Sequence, residues 1–65
     1  MTFIDRMLDE RSELTIKLNA LMAFMKTDEF LRIPIEHRQL MFEQRFVMAQ
    51  YIEILNNRIK LATLV

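Results

Sequence analysis

Apolar side chains recur at alternating spacings of three and four through Ile4, Met7, Leu14, Leu18, Leu21 and Met25, and Arg11 takes the one place in that series where an apolar residue is missing. This alternation marks a helix that packs along a seam against another helix. The positions between are mostly polar, among them Asp5, Asp9, Glu10, Glu13, Lys17 and Asn19. They predict an amphipathic helix over about 3–26. Thr2 is placed to accept from amides at its start, and Asp5 adds negative charge where the helix dipole is positive.

A second helix is predicted over about 34–62, and its pattern is wider. One stripe holds Met41, Met48, Ile52, Leu55, Ile59 and Ala62, and beside it runs another of Leu40, Val47, Tyr51, Ile54 and Leu61. Phe42 and Phe46 extend the apolar surface further round. A two-helix seam needs only about two positions per heptad. The surplus face requires a further chain to cover it.

Between the helices, 27–33 reads as a turn. Pro34 suits the first turn of a helix and disfavours helix at Ile33 before it. Phe30, Leu31, Ile33 and Ile35 are apolar enough to plug the end of a helical pair, and Glu36 complements the new N-terminus. With Ile33 at the capping position, the acceptor must come from Thr27, Asp28 or water. The expected fold is all-α: a single domain over 1–65, an antiparallel two-helix hairpin with arms of roughly 35–40 Å, assembling into an oligomeric bundle through its second helix.

Composition narrows the functional classes. A chain of 65 residues buries little surface alone, yet 52% of its residues are hydrophobic, and no cysteine is present to cross-link it. Lys and Arg together number 9, as do Asp and Glu. That balance gives no field favouring DNA, RNA or an anionic membrane. With no glycine there is no phosphate-cradling loop of the dinucleotide-binding or P-loop kind. The acidic start and the lack of a long apolar run argue against a signal peptide or membrane span, and a cysteine-free chain fits a reducing cytoplasm.

Candidate chemistry is sparse. His37 is the single histidine; Glu36 beside it points elsewhere on a helix and Met41 is a poor zinc ligand, so it reads as a surface histidine and no metal is expected. Asp9, Glu10 and Glu13 lie among Arg6, Arg11 and Lys17, the arrangement of a solvated face. No nucleophile, base and oxyanion hole assemble, so no enzyme and no cofactor are expected. The six methionines read as core filling. The arginines say more. Arg11, Arg45 and Arg58 fall at or beside apolar stripes, whereas Arg6, Arg32 and Arg38 look peripheral. A seam arginine must find a partner, either Glu43 or Glu53 across a subunit interface or a phosphate-bearing ligand gathered by several arginines. Tyr51 offers a ring for a base, and Lys26 near the turn is a secondary phosphate contact.

The order "RMLDERSELTIKLNALMAFMKTDEF" followed by "LMFEQRFVMAQYIEILNNRI" resembles a family of very short proteins common in bacteriophages and prophages, crAss-like phages included. The likeness runs through Arg6, Glu10, Glu13, Lys17, Phe24, Phe30, Leu40, Gln44, Met48, Tyr51, Leu55 and Arg58 and covers nearly the whole chain; Ile33 before Pro34 departs from it. In size and layout the chain is also similar to the hairpin domain of phage sponges, which sequester cyclic-nucleotide or ADP-ribose-type signals of CBASS and Thoeris immunity. The resemblance implies a phage counter-defence protein in the host bacterial cytoplasm, binding a cyclic-nucleotide-type signal without catalysis. Arg45, Tyr51, Arg58, Arg11 and Lys26 are the expected ligand-binding residues. An anti-CRISPR or anti-restriction type of inhibitor or adaptor, laying its apolar helix face on a host defence protein, is the alternative. Whether the turn at 27–37 lines a pocket depends on assembly.

Overall fold

The computed structural model describes residues 2–64, and all regular structure among them is helical: α1, Phe3–Phe24; α2, Asp28–Leu31; and α3, Ile35–Thr63. Thr2 is extended and closes a capping box with Asp5, each side chain meeting the other's backbone amide at 3.2 Å. Two amides that would otherwise lack partners are thereby satisfied. No glycine or proline interrupts α3, which runs unbroken for 29 residues, or about 44 Å at the usual rise. That length sets the long dimension of a rod measuring 49 × 16 × 15 Å.

Arg11 on α1 hydrogen-bonds Asn56 on α3, while the ring of Phe24 at the end of α1 reaches Phe42 early in α3 through Phe30. Chain direction is therefore reversed between α1 and α3. The pairing of residue 11 with 56 sets residue 24 near the level of residue 43, so the first turns of α3 overhang the end of α1. The connection fills that space. Instead of a plain turn it forms a turn of helix, α2, because Thr27 supplies its cap: the Thr27 hydroxyl accepts from the Phe30 amide at 3.3 Å and donates to the Phe24 carbonyl at 2.6 Å. α3 has no such side-chain cap. Pro34 is its N-cap residue, with no N–H to satisfy, and Glu36 contributes the favourable charge in the first turn.

The heptad series of α1 is the side that turns inward. Met7 is buried, and Ile4, Arg11, Leu14, Leu18, Leu21 and Met25 are half-buried. On α3 the matching stripe is Met41, Met48, Ile52, Ile59 and Ala62, half-buried, with Leu55 at its centre and fully enclosed. Phe30 is the remaining buried side chain among the described residues, with its ring edge-on to both Phe24 and Phe42 at centroid distances of 6.3 and 5.7 Å. Leu31 and Ile35, expected to plug the same end, are exposed at 65% and 51%. The one turn of α2 presents a single inward direction, which Phe30 occupies in place of Leu31, while Ile35 is the first residue of α3 and stands on its open side.

The second apolar stripe of α3 faces solvent. Leu40, Val47, Tyr51, Ile54 and Leu61 are between 39% and 67% exposed, and Phe42 and Phe46 are exposed as well. No helix among the described residues is long and apolar enough to cross a membrane.

Candidate ligand-binding face

Successive α3 residues are turned by about 100°, so Phe42, Arg45, Phe46 and Ala49, at spacings of three and four, share one side of the helix. They line a shallow depression of about 380 Å³, largely open to solvent. Ala49 keeps the floor low, and the two rings and the guanidinium form its walls. Phe42 is braced from behind by its edge-to-face contact with Phe30. Thus α2 fixes one wall of the depression and closes the end of the core with the same ring.

Arg38 lies one turn before Phe42 on this side and two turns, about 10 Å, before Arg45. Sequence position made it look peripheral; in the structure it is half-buried, and its Nε is buried without a hydrogen-bond partner. An unsatisfied buried donor of this kind is uncommon in a folded chain. Arg38 thus shares a side of α3 with Phe42 and Arg45, while the depression itself is lined by Arg45 alone among the arginines. One sequence feature does separate Arg38 from Arg6 and Arg32: it lies three residues before Met41 and so continues the inward stripe of α3 by one step.

Of the other residues expected at a site, Arg11 is committed elsewhere: its Nη1 donates to the Asn56 side-chain oxygen at 2.9 Å in the partly buried seam. This partner is an amide within the same chain. Tyr51 and Arg58, a heptad step apart, share the exposed stripe with Val47 and Ile54. They stand about 120° and 140° around the helix from Arg45, so a single chain does not bring the three together. Lys26 is exposed in the segment between α1 and α2, and His37 is exposed near the start of α3. Chemically, the depression offers positive charge and flat apolar rings, the features that hold a phosphate and a base or another planar group. Among the described residues, no group of acidic, histidine or cysteine side chains is arranged to hold a metal ion.

A family model described as Sequestin matches residues 1–61. No curated protein matches the chain. No solved structure matches it.

Proposed function

The chain belongs to the Sequestin family, and from that premise we propose that it sequesters a small phosphate-bearing nucleotide signal of the cyclic-nucleotide type, without catalysis, as a phage counter-defence protein in the host bacterial cytoplasm. The family's name speaks of sequestering and leaves the molecule open. The observation that carries the finer reading is the depression of Phe42, Arg45, Phe46 and Ala49. Arg45 meets the phosphate, and the rings of Phe42 and Phe46 take the base. A depression this open holds a ligand poorly on its own, since tight small-molecule sites enclose most of their ligand. The missing wall comes from another copy: the helical hairpin assembles into an oligomeric bundle through α3, and symmetry multiplies the arginines around each ligand.

Calorimetric titration of the protein against cyclic di- and trinucleotides and cyclic ADP-ribose isomers tests this. Binding of at least one of them, with the ligand recovered chemically unchanged, is the expected result. Arg45→Gln should weaken it about tenfold or more, equivalent to about 1.4 kcal/mol. Silence across the whole panel would remove the nucleotide reading.

A further inference from the structure

The depression on α3 has a narrow chemistry. Among the described residues it is lined by Phe42, Arg45, Phe46 and Ala49. Two phenyl rings and a methyl group neither donate nor accept a conventional hydrogen bond, and a guanidinium has donors without an acceptor. All four positions lie in the interior of α3, where backbone amides and carbonyls are spent on the helix itself. A seated ligand therefore meets the donors of one side chain and the rings of two others. The carboxylate on this side of α3, Glu53, stands one turn beyond Ala49 and outside the lining.

Both rings have surface left for a ligand. Phe42 gives one side to its contact with Phe30, at an interplanar angle of 84°, and is still 51% exposed; Phe46 is 62% exposed. A planar group stacked on either ring turns its face to the protein and its edge to water or to the Ala49 methyl. The edge is where one base differs from another, in amino groups and carbonyls, whereas every base has a π-face.

We infer that the depression reads a phosphate and a ring but not the identity of the base, an inference that rests on the proposed nucleotide reading. The ligand class it accepts is any aromatic group of nucleobase size with a phosphate close by. Arg45 has one competing use, since a guanidinium can bind the O6 and N7 acceptors of guanine in two parallel bonds. A phosphate is the stronger claimant. Its charge about doubles the strength of each hydrogen bond, and its oxygens fit the same fork. With its donors on the phosphate, Arg45 leaves the base to the rings.

The test is a titration of nitrogen-15-labelled protein with AMP, GMP and IMP, followed through the amide signals of residues 42–49. These three purines share ring area and phosphate and differ at the edge. Their dissociation constants should agree within about threefold, while adenosine, without the phosphate, and ribose 5-phosphate, without the ring, should each bind at least about tenfold more weakly. Arg45→Gln should bring AMP down to the level of adenosine, and Phe42→Leu with Phe46→Leu should bring it toward ribose 5-phosphate. Discrimination of about tenfold or more among the purines would overturn the inference: a preference for GMP and IMP would assign Arg45 to the base edge, and one for AMP would make Glu53 the reader of the amino group. Binding of cyclic dinucleotides with all three monophosphates silent would also overturn it and leave the proposed function standing. Silence from monophosphates and cyclic nucleotides alike would remove both.

Discussion

At the scale of residues, the enclosed stability rests on very few side chains. Leu55 is wholly shielded at the centre of the α1–α3 seam. Leu55→Ala should cost about 2–5 kcal/mol, read from urea unfolding followed by circular dichroism, while Leu40→Ala on the open face should change unfolding of the dilute protein by about 0.5 kcal/mol or less. Arg11 tests a different point. Asn56→Ala strands a partly buried guanidinium and should destabilise by about 1 kcal/mol, whereas replacing both partners with Arg11→Met and Asn56→Leu should recover that loss, since an apolar pair leaves no donor unmet. The sequence already shows that Arg11 needs a partner, because its place in the heptad series is unambiguous. It does not show which one. That depends on the axial offset between two helices, and neither helix's own periodicity contains that offset.

At the scale of elements, the two long helices are legible because each repeats one rule many times. Their inward faces follow directly: every member of the first α3 stripe is shielded, and every member of the second is open. The connection obeys no repeating rule. Its single turn of helix depends on one hydroxyl that accepts from Phe30 and donates to Phe24, and on an overhang fixed only after α1 and α3 have docked. Thr27→Ala should therefore lower stability by about 1 kcal/mol, and Thr27→Ser should keep most of it, in the same unfolding assay. The candidate site was half legible for a related reason. Arg45 is marked by its position beside an apolar stripe and Arg38 by continuing the inward stripe three residues before Met41, but Phe42 is set in place by a ring from α2.

At the scale of the whole molecule, the numbers describe a rod that is short of contacts. Its radius of gyration is 14.9 Å, against about 11 Å for a compact domain of this length. An isolated two-helix rod with so thin a core is marginal, so its stability should depend on assembly. The melting temperature should rise with protein concentration by mass action, and Val47→Glu together with Ile54→Glu should abolish that rise without disturbing the α1–α3 seam. Scanning calorimetry over a hundredfold range of concentration checks this. A melting temperature that stays flat would mean that the thin seam suffices by itself.

The three rings stacked edge to face, Phe24, Phe30 and Phe42, sit at one end of the rod, and the capping box of Thr2 with the last turn of α3 lies at the other. One end is closed by aromatic contacts and a continuous chain; the other is held by the seam alone. Opening should begin at the seam-held end and travel toward the rings. Amide deuteration would then proceed as a gradient in time, fastest around Ile59 to Leu64 and the first turn of α1 and slowest near Phe42, so that the molecule unzips from one end and closes again from the other.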